Sequence, residues 1–434
     1  MIQEFYVENY KSIKEKQGIS FVPNKKMNNG YEDYLLIDIS EKVKLLKLGV
    51  LYGYNASGKS NLLDAINFLR ILAIEAPKAK DEETGFRPFL LESDSKNKPG
   101  TFSLIFYIDA IKYEYIIKLT SDKILLETLF FTPEIRKAQL FSRVYDEIEN
   151  VSKISFGERC GFKAKEKIFI EGNTLENCTV LAAYRKTNVN SEQLDKVSEY
   201  FRNHIRPIVT PRVLLREWSF NQLKQNSSQK DFYINLLSKA DFQISDLEIK
   251  EESLELTEDI LNEIQKEGLP SQILDELKMR KTIESNELFF SHSTSKGDFS
   301  ISSENESQGT MRYFGLGGIM NEMIYSSKFI LIDEIETSLH PELVAFFIQQ
   351  FLMNANESQL FVTTHNQFLM EQEYMRNDMI WLCEKNEDGI SQYYSVQDFK
   401  LHKNISVINY YRAGKLGAIP RLGSPVYEKG LQKK

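Results

Sequence analysis

An α/β fold organised around a phosphate-binding loop is predicted from three kinds of stretch in this chain. Gly53-Tyr-Asn-Ala-Ser-Gly-Lys-Ser60 fits G-x-x-x-x-G-K-[ST] without a gap. It lies between an apolar run at residues 45–52 and a helical pattern that puts Leu62, Ile66 and Leu69 on one face. Phe329-Ile-Leu-Ile332 and Gln359-Leu-Phe-Val-Thr-Thr364 are apolar runs of the kind found in parallel strands covered on both faces. Residues 101–108, 112–119 and 123–130 are β-rich, with short polar breaks and clean alternation in the middle one. They predict an antiparallel layer beside that core.

The loop dictates its own chemistry. Glycines let consecutive N–H groups turn toward phosphate oxygens, and a helix starting inside the motif adds its positive end to the same spot. The candidate nucleotide-binding residues are Gly53, Asn55, Ala56, Ser57, Gly58, Lys59, Ser60 and Asn61. Lys59 reaches the β- and γ-phosphates in such a site and the Ser60 hydroxyl holds Mg²⁺. A nucleoside triphosphate, ATP, and Mg²⁺ are the expected ligands.

Composition narrows the class. With 42% hydrophobic and 12% aromatic residues over 434 positions, the chain has the make-up of a globular protein with two or three compact regions. A net charge of −8 argues against coating nucleic acid by bulk charge, though not against a local basic groove. No apolar stretch approaches the roughly 20 residues that span a bilayer, and the first residues lack a signal-peptide pattern. Cys160, Cys178 and Cys383 form no C-x-x-C pair, which suits reduced thiols in a cytoplasmic protein.

Taken in order, Ile2-Gln-Glu-Phe-Tyr-Val7, Gly18-Ile-Ser-Phe-Val22 and Tyr34-Leu-Leu-Ile-Asp-Ile39 read as short strands. Asn9-Tyr-Lys-Ser-Ile13 between the first two is compatible with a polar hairpin or a functional turn, and the pattern alone does not choose. Residues 76–100 read as loop. Residues 131–180 are weakly patterned, with a basic patch at Lys153, Arg159, Lys163, Lys165 and Lys167 that is best read as a solvated face. Residues 191–285 read as a helical lid, through segments 193–205, 231–240 and 256–285, the last broken by Gly268 and Pro270. Arg202, His204, Arg206, Arg212 and Arg216 suit a docking surface or an exposed helix face equally. The expected divisions are 1–130, 131–295 and 296–434.

The second half of the chain supplies the acids. Ligands of parallel sheets gather beyond the carboxyl ends of the strands, which is where Asp333 and Glu334 emerge from the run at 329–332. Asp333 is expected to hold Mg²⁺, and Glu334 to orient the attacking water. His365 ends the next apolar strand and is read as a partner for the γ-phosphate. Ser338-Leu-His-Pro341 follows the acids, with Pro341 placed to open a helix. Upstream, Glu306-Ser-Gln-Gly-Thr310 puts a serine at a helix start, a second anion-binding end.

This order of features resembles the ABC-type ATPases, and within them the SMC/RecF/OLD-like branch. The likeness is closest to compact prokaryotic AAA/ABC ATPases of antiphage systems, the abortive-infection and PARIS-type subunits, and Tyr411-Arg-Ala-Gly-Lys-Leu-Gly-Ala-Ile-Pro420 supports it. The resemblance implies a P-loop head with a mixed central sheet, a flanking antiparallel β layer and a helical lid. Lys11 and Ser12 would lie near the nucleotide. Ser307, Gln308 and Gly309 would act in trans on a second copy, with Ser338, Leu339 and His340 at the dimer loop. Slow ATP hydrolysis with Glu334, His365 and Lys59 as catalytic residues would drive a sensor that controls a separate nuclease or toxin, triggered by DNA or a phage protein. An alternative is a RecF/SMC-like ATPase acting on DNA. Two departures stand out: no Gln lies between Asn61 and Arg136 to serve as the usual metal contact, so the Phe86-Arg-Pro-Phe89 loop is the candidate replacement, and Gly315, Gly317 and Gly318 suit a helix after Ser307 that is short, kinked or packed unusually close. No Toprim nuclease is expected in this chain.

Overall fold

The computed structural model describes residues 1–24, 30–255, 282–402, 405–420 and 422–424. The chain divides into two compact units: Met1–Val213 with Glu322–Thr337 and Val344–Lys434, and Leu214–Asn321 with Ser338–Leu343.

The first unit holds two large sheets. Strands β1 (Ile2–Glu8), β2 (Gln17–Ser20) and β6 to β10 (Gly100–Ile108, Ile111–Leu119, Ile124–Thr132, Ala138–Asp146 and Val151–Phe156) form a seven-stranded sheet. Its order is β10-β9-β8-β7-β6-β1-β2. Every pairing in it is antiparallel. The meander is thus longer than its three legible strands, because β9 and β10 continue it through the weakly patterned 131–180 segment. A hairpin, β3 (Leu36–Ser40) and β4 (Val43–Leu46), follows one helical turn, Glu32–Leu35, that takes the start of the expected third strand.

The second sheet carries the site. β5 (Leu48–Tyr52), β14 (Phe329–Ile332), β15 (Gln359–Thr364), β16 (Ile380–Lys385) and β17 (Ser391–Ser395) run in the order β14-β15-β5-β16-β17. The first four are parallel and only β17 is antiparallel. All residues of β5, β14 and β15 are buried, as strands covered on both faces require. Residues 205–209 extend this sheet beside β14, where Val209 N donates to Leu331 O and Asp333 N to Val209 O, both at 2.8 Å. The helix Lys59–Ile74 follows β5 and packs Phe68 against Tyr10 (5.4 Å between ring centroids) and Phe102 (5.3 Å).

The second unit centres on the helix Gln308–Tyr325, whose part up to Asn321 lies in it. The three interior glycines signify close packing, not a break. A Cβ on Gly315 would lie 2.7 Å from Leu215 Cβ, one on Gly317 2.8 Å from Leu236 Cδ2, and one on Gly318 2.5 Å from Trp218. Two helices, Leu215–Gln225 and Lys230–Lys239, supply those neighbours. The remainder differs from a helical lid. Strands β11 (Ile244–Glu255), β12 (Thr282–Thr294) and β13 (Gly297–Ser302) form an antiparallel sheet. Its buried Leu288 and Phe290 follow strand spacing, while a register shift between Ile244 and Asp246 sets the buried Ile244 and Leu247 three apart, a pattern that the dense charge of the segment conceals. The expected helix at 256–285 lies outside the described residues except for 282–285, which open β12.

One buried cluster ties the antiparallel sheet to the segment preceding the helix Val180–Tyr184. Arg143 is fully buried and donates to the carbonyls of Leu175 and Glu176 at 3.0 Å, to Cys178 O, and to Ser152 Oγ. Glu127, also fully buried, accepts from Val180 N and from Tyr115 Oη. Removing the guanidinium leaves Cys178 O without a donor, whereas Leu175 O and Glu176 O still accept from Cys178 N (3.1 Å) and Ile124 N (2.8 Å). An unmet buried carbonyl costs about 1–3 kcal/mol. Arg143→Leu is therefore expected to lower stability by about 1–3 kcal/mol in urea titration, whereas the exposed Lys165→Ala leaves the midpoint unchanged.

Candidate functional site

The parallel register brings the predicted residues to one edge. Ile332 pairs with Val362 and Thr364 with Tyr52, so the loop after β5, the acids after β14 and His365 after β15 leave the sheet side by side. In the loop, Ala56 and Gly58 have left-handed φ angles of 65° and 114°. Asn55, Ala56 and Ser60 are exposed while Ser57 and Lys59 are buried. Lys59 Nζ folds back to donate to Gly53 O (2.9 Å) and Tyr54 O (3.3 Å), and lies 3.1 Å from His365 Nε2. An ammonium can only donate, so Nε2 is the acceptor and the imidazole proton sits on Nδ1. Burial lowers the Lys59 pKa, opposed by Cys383, Asp333, Glu334 and Glu336. His365 is held below its ordinary value by partial burial of the ring and then by Lys59, and so stays neutral near pH 7.

Asp333 and Glu334 share one hydroxyl. Thr363 Oγ1 donates to Asp333 Oδ1 at 2.6 Å and accepts from Glu334 N at 2.8 Å. Glu334 itself has φ 49°, a left-handed conformation uncommon outside glycine and asparagine, which turns its side chain out of the strand line. Glu336 adds a brace, accepting from Thr364 Oγ1 (2.7 Å) and from His365 N (2.6 Å). Thr363, Thr364 and Glu336 were not singled out by sequence. The available signal was two threonines at the carboxyl end of an otherwise apolar strand.

Lys11 forms an ion pair with Asp64 of the P-loop helix. Ser12 Oγ accepts from Asn61 Nδ2 at 2.6 Å. The Asn9–Ile13 turn also holds the Phe86-Arg-Pro-Phe89 loop, through Lys11 N to Arg87 O (2.8 Å) and Phe89 N to Asn9 Oδ1 (3.0 Å), and Arg87 is exposed beside it.

In the second unit, Ser307 caps its helix by accepting from Thr310 N at 3.0 Å. Ser338, with φ 61°, places its carbonyl 3.2 Å from the position of a Cβ on Gly309. The two motifs therefore meet, Ser307, Gln308 and Gly309 with Ser338, while Leu339 and His340 continue to the helix Pro341–Asn354. Arg312, one turn into the Ser307 helix, has buried Nε and Nη2 atoms without a hydrogen-bond partner.

The donor set suits a triphosphate. Lys59 is held on loop carbonyls it can leave, Ser57 Oγ is buried inside the loop without a partner, and the loop's outer residues are open. No group of three or more His, Cys, Asp or Glu among the described residues could hold a metal alone. A cation here would need phosphate oxygens among its ligands, and Ser60 is exposed while Asp333 is buried.

Comparison with known proteins agrees. Residues 48–371 match the family described as "AAA domain, putative AbiEii toxin, Type IV TA system". The chain belongs to this AAA family. It is an ATPase of the AAA class, a class that uses nucleotide and typically Mg²⁺. The matched stretch includes the loop, Ser307, Asp333, Glu334 and His365, and ends before β16. No curated protein sequence matches the chain. Among solved structures it is similar to an SMC head domain from Thermotoga maritima, at 13% identity over 91% of this chain and 98% of the other, TM-score 0.40. It is also similar to an SMC head bound to the C-terminal winged-helix domain of ScpA (14%, 92% and 99%, TM-score 0.42). A third similar structure is an SMC head with an extended coiled coil, bound to a ScpA domain derived from Pyrococcus furiosus (14%, 96% and 98%, TM-score 0.35). At these scores the AAA assignment rests on the family match and the geometry above. No helix among the described residues is long and apolar enough to cross a membrane.

Two substitutions separate binding from turnover. Lys59→Ala is expected to abolish measurable ATP binding in calorimetric titration. Glu336→Ala, which frees His365 N and Thr364, is expected to keep ATP affinity within a few-fold while lowering kcat about tenfold or more.

Proposed function

We propose that this protein is an ATP-driven switch that works as a dimer or larger homo-oligomer and controls a separate effector in antiphage defence. The observation that carries the reading is how the site residues are grouped. Lys59, Ser60, Asp333, Glu334 and His365 converge on one sheet edge of one unit. Ser307, Gln308, Gly309 and Ser338 gather at a helix start in the other unit. Such a helix start offers free N–H groups to an anion, and we assign it to the γ-phosphate held by a second copy.

In this scheme Lys59 leaves the Gly53 and Tyr54 carbonyls for phosphate oxygens, releasing His365 Nε2. Ser60 and Asp333 hold Mg²⁺, which neutralises charge on the triphosphate. Glu334, fixed through Thr363, orients the water, and neutral His365, its ring proton moved to the released Nε2, donates to the γ-phosphate. Ser307 of the second copy stabilises charge from the opposite side. Hydrolysis removes the bridge between copies, so the nucleotide state sets whether they stay closed. The family's description as a putative toxin of a type IV toxin–antitoxin system supports a defence role; a toxin or nuclease partner in the cytoplasm, and DNA or a phage protein as trigger, complete the proposal.

A DNA-directed ATPase of the RecF/SMC kind is the second reading. Arg185 and Arg202 both border one polar cleft and repel each other, the second cause after burial of the lowered Arg185 pKa. Hydrolysis stimulated by DNA and falling steeply with salt would select that reading.

A mixing experiment tests the shared site. Ser307→Arg and Lys59→Ala should each be inactive alone. Mixed in equal amounts, they should recover roughly a quarter of parental ATPase, because half the dimers pair unlike chains and each of those has one intact site. Absence of recovery, with both variants folded and dimeric, would overturn the two-chain site. Glu334→Gln should bind ATP normally and elute as a persistent dimer in its presence.

A further inference from the structure

A loop that turns its N–H groups toward a ligand turns carbonyls inward, where each needs a donor. Lys59 serves Gly53 and Tyr54. Backbone N–H groups serve two of these carbonyls as well, Ser57 N at Tyr54 O (3.1 Å) and Asn61 N at Gly58 O (3.0 Å), and the other side-chain donors come from β16 and β17, beyond the stretch matched by the family. Tyr393 Oη donates to Gly58 O at 2.7 Å, and the Cys383 thiol to Ser57 O at 3.3 Å. Ser391 Oγ lies 2.6 Å from Ser57 O and 2.7 Å from Ser12 Oγ. A serine has one proton and a carbonyl only accepts, so Ser391 donates to Ser57 O and Ser12 supplies the proton between the two serines. With Asn61 Nδ2 donating to Ser12, the bonds run one way from Asn61 through Ser12 and Ser391 to Ser57 O. They join the P-loop helix, the Asn9–Ile13 turn, the β16–β17 hairpin and the loop itself.

The contact is also sterically tight. A Cβ on Gly58 would lie 2.1 Å from Ser391 Oγ, and one on Gly53 2.4 Å from Cys383 O. The hairpin behind the loop therefore requires both motif glycines, independently of any phosphate in front. Ser391 is completely buried and Tyr393 is 7% exposed, so neither bond is open to competition from bulk water.

We propose that Ser391 and Tyr393 are positioning residues of the nucleotide site. By fixing the Ser57 and Gly58 carbonyls they hold the loop's N–H groups outward before a triphosphate arrives. This rests on the nucleotide reading of the loop. Preorganisation of this kind acts on phosphate binding, whereas attack of water is directed by Glu334 and Thr363, which these two residues do not touch. Ser12 acts through the same chain, so the Asn9–Ile13 turn braces the loop from the far side.

Steady-state kinetics of the full chain with Mg-ATP tests this, alongside ATP titration and thermal melting. Ser391→Ala and Tyr393→Phe are each expected to raise Kd and KM for ATP about tenfold with kcat within about twofold. Ser391→Thr, which keeps the hydroxyl, should recover most of the affinity. Tyr394→Phe is the control: on the same strand it removes the 2.9 Å bond to Leu416 O, and should leave KM unchanged. Unaltered KM in folded Ser391→Ala and Tyr393→Phe, with the parent binding ATP, overturns the inference alone. A parent that binds no ATP overturns the nucleotide site and the inference together. Should Ser391→Ala fail to fold, Tyr393→Phe, which loses a single oxygen, decides the matter.

Discussion

A peptide plane cannot present its N–H in one direction without sending its carbonyl in the other, and the site depends on that constraint. The loop after β5 is short and left-handed at Ala56 and Gly58, so several carbonyls point back into protein. They are met by a lysine from the loop's own helix, by a thiol and by two hydroxyls from a hairpin far along the chain. The same economy governs the acids, where Thr363 uses one hydroxyl to fix both the Asp333 carboxylate and the Glu334 backbone. Charge is arranged last, on a frame that hydrogen bonds have already fixed.

Much of this was legible in the residues. The glycine loop, the apolar runs of β14 and β15, and the acids and histidine at their ends are local signals, and parallel pairing turns them into one edge without further information. What stayed hidden is non-local or masked by charge. Nothing near Ser391 or Tyr393 marks them, because their partners, Ser57, Gly58 and Ser12, lie more than 300 positions earlier. Strand β11 carries so many acids that its alternation of Leu247 and Ile249 reads poorly. The continuation of the meander into β9 was obscured by Arg143, a charged residue at a fully buried position, which its carbonyl and hydroxyl acceptors and the nearby Glu127 explain.

The second unit shows why glycine in a helix is not always a weakness. Gly315, Gly317 and Gly318 forgo helix propensity of about 1 kcal/mol each, yet they let two helices approach within distances that any Cβ would forbid. Ser219 Oγ then reaches Gly315 O at 2.8 Å. The helix that begins at Ser307 is thereby gripped at the turn Gly315–Gly318, and its capped end is presented on a rigid support.

The pairing of β5 also bears on how the chain is made. Leu48 lies against Leu360, and Val50 against Ile380, so the strand that leads into the loop has neither neighbour until most of the polypeptide has been synthesised. The antiparallel meander, by contrast, closes between successive strands and can form early on the ribosome. A nascent chain halted midway would therefore expose an unpaired hydrophobic strand joined to a nearly finished sheet, a species suited to chaperone capture.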